Sequence, residues 1–431
     1  MRAILFISLF SFLIGFSQDE RMISQKEVLE KVHEENSSLK ITNEEYIMAK
    51  ADFNQSRAVF LPNITASHTG IITTNPLMAF GSKLNQEVLT PNDFDPARLN
   101  NPNETRNFAT VFEIQQPLIN IDGIYKRKAS KVKMEAVKLK SNRTKEYLTL
   151  EVNKGYMQLQ LSYKGVDVLE KALSTAEANL QLAENSFKQG FLQESDVLAV
   201  KVHVTEVKNQ LQTAKSNVLN ASNYLSFLMN ESDDVRYQPT DSLTISISKE
   251  SSKVISENRS DIKAMEFSTE AYKKMYQSEK MSFLPRLNAF GSYQLFDNDV
   301  FNANASGYLV GAQLSWDIFQ GSKRFAKVQK SKAQYEKSVL EYEEYKSKSK
   351  LELNKALRML YDAENKLKLT ELAMKQSKEA LRIRKNRFKE GLEKSTDLLI
   401  AETKYVQKQL EYYQTIFEYN FSKAYVEFLT K

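Results

Sequence analysis

The sequence predicts a mixed fold in which long α-helical coiled-coil hairpins are combined with four β-strands per chain. One observation is an internal repeat with an offset of 201 residues between Gly190 and Gly391. A second is a seven-residue apolar period on both sides of each of these glycines. A third is apolar–polar alternation in two stretches of each repeat, which is the period of a half-buried strand. With 12 glycines and 8 prolines among 431 residues, the composition also favours long helices.

The N-terminus has the pattern of a secretory signal peptide. Arg2 precedes an apolar run from Ile4 to Phe16, and small and polar residues follow. Thirteen residues are too few to span a bilayer, so we expect cleavage near Ser17 and export of the chain. An exported chain without cysteine has no disulfides and must derive its stability from packing or assembly.

The repeat is clearest around the two glycines. The segment from Asn185 to Gly190 recurs as Asn386 to Gly391, and an aspartate follows six residues later in each copy. The heptad positions match across the same offset. In the first copy they are Val152, Leu159, Val166, Leu173, Leu180 and Phe187, then Val197, Val204, Leu211, Val218 and Leu225. In the second copy they are Leu353, Leu360, Leu367, Met374, Leu381 and Phe388, then Leu398, Tyr405, Tyr412, Tyr419 and Val426.

The helix before each glycine is predicted to be very long, because no proline interrupts residues 122–189 or 322–390. At 1.5 Å per residue such a helix is roughly 100 Å long. Rods of this length cannot bury their apolar stripes within one small domain. We therefore expect an obligate oligomer.

The alternating stretches are predicted to be strands. The clearest one places Tyr308, Val310, Ala312, Leu314, Trp316 and Ile318 on one face. About ten residues of this alternation fit a membrane-spanning barrel strand, although a soluble sheet with one wet face gives the same pattern. Four strands cannot close a barrel, so closure would need several subunits. The segment between the repeats is expected to be irregular, with a short strand near 243–247.

In the order and duplication of these features, the chain resembles the outer membrane efflux protein family, the family of TolC. The resemblance covers essentially the whole mature chain. It implies a homotrimer with a twelve-strand barrel in outer-membrane lipid and a helical extension into the periplasm. It also implies a channel without enzymatic activity, which works with a periplasmic adaptor protein and an inner-membrane transporter.

The resemblance also implies roles for six residues. Gly190 and Gly391 would be the periplasmic tips, and Phe187 and Phe388 would lie beside them as adaptor contacts. Asp397, with Asp196 as its counterpart, would form a constriction of the pore. The alternative reading of the aspartates is helix capping, since they follow Ser195 and Thr396. The alternative for the phenylalanines is core packing at their heptad positions.

The sequence therefore favours the outer-membrane channel of a tripartite efflux system, which passes substrates from periplasm to exterior. An outer-membrane component of type I protein secretion has the same architecture, and a periplasmic coiled-coil scaffold is an alternative from another class. No motif for a cofactor, metal or enzymatic site is present, and a net charge of +6 with lysines alternating with Glu and Gln does not indicate nucleic-acid binding.

The expected boundaries follow the repeat. They are a signal peptide at 1–17, a helix at 18–62, two strands with an external loop at 63–118, a helical hairpin at 119–230, an inter-repeat segment at 231–256, a helix at 257–284, two strands at 285–319 and a second hairpin at 320–431.

Overall fold

The computed structural model describes residues 20–232, 235–246 and 253–431, so the expected signal peptide lies outside the described residues. The strands are β1 Glu20–Ile23, β2 Asn63–Thr73, β3 Thr105–Ile119, β4 Arg236–Pro239, β5 Arg286–Asp297 and β6 Ala305–Ser315. The helices are α1 Gln25–Glu35, α2 Ser37–Gln55, α3 Pro76–Asn85, α4 Pro96–Asn100, α5 Ile121–Lys188, α6 Glu194–Met229, α7 Ser260–Met281, α8 Lys323–Lys389 and α9 Ser395–Thr430.

The chain divides into two compact units. The hairpin unit comprises the described residues up to Asn43, Ser141–Ser260 and Lys346–Lys431. The sheet unit comprises Glu44–Lys140 and Asp261–Tyr345. Among the described residues, no helix combines the length and hydropathy that crossing a bilayer requires.

The hairpin unit is held together by its heptad residues. All five predicted heptad positions of α6, from Val197 to Leu225, are buried, and Val152, Leu159 and Val166 of α5 are buried with them. Each fully buried Val or Leu side chain stabilises the fold by roughly 1.5–3 kcal/mol relative to an exposed one. The seven-residue period therefore identified the packed faces of the first hairpin.

The single helix expected over 18–62 is divided at Asn36, and a strand precedes it. The backbone N–H of Asn36 donates to Val32 and ends α1, while its side-chain oxygen accepts the N–H of Ser38 and begins α2. Its amide also donates to the Leu228 carbonyl at 2.8 Å. Asparagine at this position thus caps two helices and fixes them to α6.

A short parallel strand pair closes the hairpin unit near the chain's beginning. Strand β1 pairs with β4, with Ile23 opposite Pro239. The strand expected near 243–247 is absent from the described residues 243–246, and Leu243 is buried against Leu367 and Ile416 instead. Leu243 therefore contributes to the core by side-chain packing and not by pairing its backbone with another strand.

The sheet unit contains a four-stranded antiparallel sheet in the order β2-β3-β5-β6. Two glycines lie directly opposite phenylalanines, Gly70 opposite Phe108 and Gly311 opposite Phe290. A Cβ added at either glycine would lie within 2.7 Å of the facing ring. The rings therefore cover the glycines, which favours this register. Both edge strands, β2 and β6, have one side unpaired among the described strands.

The outer strand β6 carries exposed apolar side chains. Tyr308 is 82% exposed, and Val310 and Leu314 on the same face are also exposed. Leu309, on the other face, is exposed too, so the burial within this chain does not alternate along the strand. The strand ends at Ser315, earlier than the pattern predicts, so Trp316 and Ile318 lie beyond it. Just beyond the strand, the Arg324 guanidinium donates hydrogen bonds to the carbonyls of Asp317 and Ser282.

The connection between β2 and β3, expected to be an external loop, is partly helical. Asn75 caps α3, and Asp95 caps α4, each by accepting a backbone N–H with its side chain. Lys83 pairs with Asp93 at 2.7 Å, and this contact together with the N–H of Thr90 holds the pKa of the Asp93 carboxyl well below its usual range. The segment is therefore ordered by local polar contacts.

Candidate functional site

The two predicted turns are sharp helix ends of identical geometry. Gly190 and Gly391 have φ values of +81° and +75°, which L side chains rarely adopt. Each glycine N–H donates to the carbonyl three residues earlier, Phe187 or Phe388, at 2.9 and 3.0 Å. The next residue donates to the carbonyl five residues earlier, again in both repeats. Both helices thus end in a Schellman motif, for which glycine is the preferred residue.

The turns present apolar side chains. Phe187 is 43% exposed, whereas Phe388 is half-buried, so core packing describes Phe388 better than Phe187. Phe191 is 78% exposed and Leu392 is 65% exposed. Sequence reasoning missed this second pair. The available signal was an apolar residue directly after each turn glycine, where the Schellman motif ordinarily packs such a residue back on the helix.

Asp196 is the third residue of α6, and it connects the two turns. One carboxylate oxygen accepts the backbone N–H of Gln193 at 3.1 Å, which is the reciprocal half of a capping box. The other accepts the hydroxyl of Ser395, the first residue of α9, at 3.3 Å. The helix cap itself is Gln193, so Asp196 takes part in the capping box without occupying the N-cap position. Asp196 therefore stabilises its own helix and contacts the other repeat.

Asp397 occupies the same position in α9 but has a different environment. Its backbone N–H donates to the carbonyl of Lys394, the residue at the N-cap of α9, so Asp397 does not occupy the cap position. Asp397 is half-buried. Among the described residues, its carboxylate accepts neither a backbone N–H at the cap nor a hydroxyl from the other repeat, the two bonds that Asp196 accepts. The two aspartates are thus equivalent in sequence and unequal in structure.

The second turn is braced by ion pairs. Glu393, whose side chain is 12% exposed, pairs with Arg384 at 2.6 Å and with Arg387 at 2.9 Å. Because both arginines lie on α8, the carboxylate ties the turn back to the end of that helix. The first turn has Leu192 at the equivalent position, two residues after Gly190, so it has no carboxylate there.

The three histidines lie in separate surroundings. Within residues 20–232, 235–246 and 253–431, no group of three or more His, Asp or Glu side chains is arranged to hold a metal ion. His33 lies 3.2 Å from the Thr149 hydroxyl, and His68 stacks on Phe301 with ring centroids 4.5 Å apart. His203 lies near Glu402 in the hairpin unit.

Comparison with known proteins identifies the family. A model described as "Outer membrane efflux protein" matches residues 28–231 and 252–416. No curated protein matches the chain significantly by sequence.

Several solved channels share the fold. The Campylobacter jejuni CmeC outer membrane channel superposes with a TM-score of 0.82 at 16% identity, over 94% of this chain and 85% of that one. The Vibrio cholerae outer membrane protein VceC gives 0.76 at 16% identity, over 94% and 96%. The open-state MtrE outer membrane channel of Neisseria gonorrhoeae gives 0.77 at 16% identity, over 94% and 88%. At these identities the similarity establishes the fold alone.

Proposed function

Because this chain belongs to the outer membrane efflux protein family, we propose that it is the outer-membrane channel of a tripartite efflux system. In this proposal it passes substrates from periplasm to exterior, and an inner-membrane transporter supplies the energy through a periplasmic adaptor protein. The channel contributes a conduit and a gate, and no chemical step.

The open sheet is the observation that carries the proposal. Its edge strands β2 and β6 each have an unpaired side among the described strands, and β6 exposes Tyr308, Val310 and Leu314. An unpaired, apolar edge strand is a liability for an isolated protein in water. Three copies joined edge to edge would supply twelve strands, remove every edge and place the exposed apolar side chains in lipid.

The hairpin tips provide the proposed docking and gating elements. The exposed Phe187 and Phe191 of the first turn, with Leu392 and Phe388 of the second, give the adaptor an apolar contact surface around Gly190 and Gly391. Asp196 and Asp397 supply carboxylates near the same turns. A ring of such carboxylates would favour cations at the constriction.

Edge-to-edge closure can be tested by cross-linking, because the chain has no cysteine of its own. A double variant, Ala66→Cys with Val310→Cys, places one thiol on each edge strand, and the registers of the sheet put both thiols on the same face. Treated with a short bifunctional thiol reagent in detergent, it should give dimers and trimers and no larger species. The matched control, Glu113→Cys with Ser292→Cys, labels two residues paired within one chain and should remain monomeric under denaturing conditions.

Two outcomes would contradict closure. Monomers alone from the edge-strand variant would mean that the edges do not meet, which favours the coiled-coil scaffold. A ladder extending beyond the trimer would indicate an open assembly. Extraction of the untreated protein without detergent would likewise exclude contact of β6 with lipid.

A further inference from the structure

A cavity of about 140 Å³ lies among the four long helices of the hairpin unit. It is lined by α5, α6, α8 and α9, with apolar side chains that include Val168, Ala172, Val207, Leu381, Val406 and Leu410. For comparison, an engineered protein cavity of about 150 Å³ binds benzene. The space therefore suits one small ring or a short alkyl chain.

A buried carboxylate faces this cavity. Glu402 of α9 is 5% exposed, and one of its oxygens accepts a hydrogen bond from the Asn179 amide of α5. The other oxygen, Oε2, is fully buried and accepts no hydrogen bond from any residue in the described part of the chain. A buried carboxylate oxygen without a donor costs free energy of folding.

The imidazole of His203, on α6, also lines the cavity and lies close to Glu402. Its Nε2 is 3.9 Å from Oε2 of Glu402, too far for a hydrogen bond, and its side chain is only 12% exposed. Burial lowers the pKa of His203, which favours the neutral ring that can accept a hydrogen bond. An ammonium nitrogen lying to one side of this pair could donate one N–H to each of the two atoms.

The charges around the cavity favour a cation. Glu206 of α6 also lines it, and the single lysine of the lining, Lys171, is paired with Asp167 at 2.9 Å. Lys385 of α8 acts on Glu402 from a distance and lowers its pKa, although burial has the larger, opposite effect. A positively charged donor would relieve the cost of burying the Glu402 carboxylate.

We propose that this cavity is a binding site for a small organic ammonium ion with one ring or short alkyl group. The ammonium donates to Oε2 of Glu402 and to the neutral imidazole of His203, and the apolar group fills the space beside Ala172. The site belongs to the wall of the hairpin unit, and it stands whether or not the assembly conducts.

Calorimetric titration of the detergent-solubilised full chain with benzylammonium chloride tests this, after subtraction of a micelle blank. Benzylammonium should bind with one site per chain, and benzyl alcohol, which has the same shape without the charge, should bind at least about tenfold more weakly. Glu402→Gln keeps an acceptor for Asn179 and should weaken benzylammonium by about tenfold or more. Glu418→Gln, on the exposed part of the same helix, should leave binding unchanged.

A second variant tests the location independently of the charge. Ala172→Leu fills the cavity from α5 and should abolish binding while Glu402 remains in place. The proposal is overturned if benzylammonium does not bind at millimolar concentration, if benzyl alcohol binds equally well, or if binding survives in both Glu402→Gln and Ala172→Leu. If Zn²⁺ displaces benzylammonium stoichiometrically, Glu402 and His203 are metal ligands, and the proposed ammonium site is overturned as well.

Discussion

The Ser395 hydroxyl donates a hydrogen bond to the Asp196 carboxylate across 3.3 Å, and this contact joins the start of α9 to the start of α6. The two residues are 199 positions apart and come from different repeats. They therefore couple two turns that the sequence presents as independent copies.

Removal of this contact should loosen the tips without unfolding the hairpins. In Ser395→Ala, Asp196 keeps the Gln193 N–H, so we expect a loss of about 1 kcal/mol, the typical net value of one hydrogen bond. Faster amide exchange should be confined to the two turns. Ser216→Ala is the control, because that exposed hydroxyl only contacts Gln212 of its own helix. Equal exchange in the two variants would mean that the link contributes nothing.

The turn glycines should not tolerate a side chain. At φ values of +81° and +75°, alanine costs about 1–2 kcal/mol, so Gly190→Ala and Gly391→Ala should each lower the Tm. Gly165→Ala is the matched control, since this glycine lies within α5 and a Cβ there meets nothing within 4 Å. It should raise the Tm, because alanine favours helices. The same direction of change in all three variants would refute the backbone argument.

The Glu393 ion pairs should protect the second turn. Glu393→Gln removes the partner of both Arg384 and Arg387, and we expect amide exchange at 388–394 to rise about fivefold, as for a loss of ~1 kcal/mol. Glu379→Gln, which breaks an exposed pair with Arg382 on the same helix, should leave exchange in that segment unchanged. Similar amide exchange at 388–394 in both variants would show that the Glu393 ion pairs do not stabilise the second turn.

Stability should depend on pH through Glu402. Burial raises the pKa of this carboxyl above its ordinary value of 4.5, so the folded state favours the protonated form. The folded state is therefore most stable below pH 4.5, and stability is lost as the pH rises from there through the folded-state pKa, because only the unfolded chain ionises freely. Glu402→Gln cannot ionise, and its Tm relative to wild type should increase between pH 5 and pH 8. Lys171, His203, Glu206 and Lys385 face the same cavity or act on it, and they are present in both proteins. A difference in Tm that stays constant with pH would contradict this assignment.

Local patterns in the sequence predicted most of the fold. The seven-residue period identified the buried faces of α5 and α6, and the two glycines identified the turns, because both signals depend only on near neighbours. The family resemblance is confirmed by the match over 28–231 and 252–416. Long helices and four sheet strands are present as expected, while the trimer and its twelve-strand barrel remain a prediction.

Nonlocal packing accounts for what the sequence did not predict. The pairing of β1 with β4 joins two four-residue strands more than 200 positions apart and leaves no alternating pattern. Asn36 divides a helix because it reaches Leu228 of α6, a contact that no local propensity contains. The burial of Glu402 likewise arises only where four helices meet.

The difference between Asp196 and Asp397 is a further case. The repeat made them equivalent, yet only Asp196 contacts the other repeat, through Ser395. The assignment of either residue to a pore constriction stays a prediction, and Asp397 is the better candidate because capping and the contact between turns do not occupy its carboxylate.

Single-channel recording in planar bilayers tests the channel proposal most directly, with the mass of the detergent-solubilised assembly determined beforehand. A trimer should give discrete, long-lived conductance steps that prefer cations, and Asp397→Asn should reduce this preference while the steps persist. A protein that gives no steps, even when Ser395→Ala loosens its tips, would contradict the account of this chain as an outer-membrane channel.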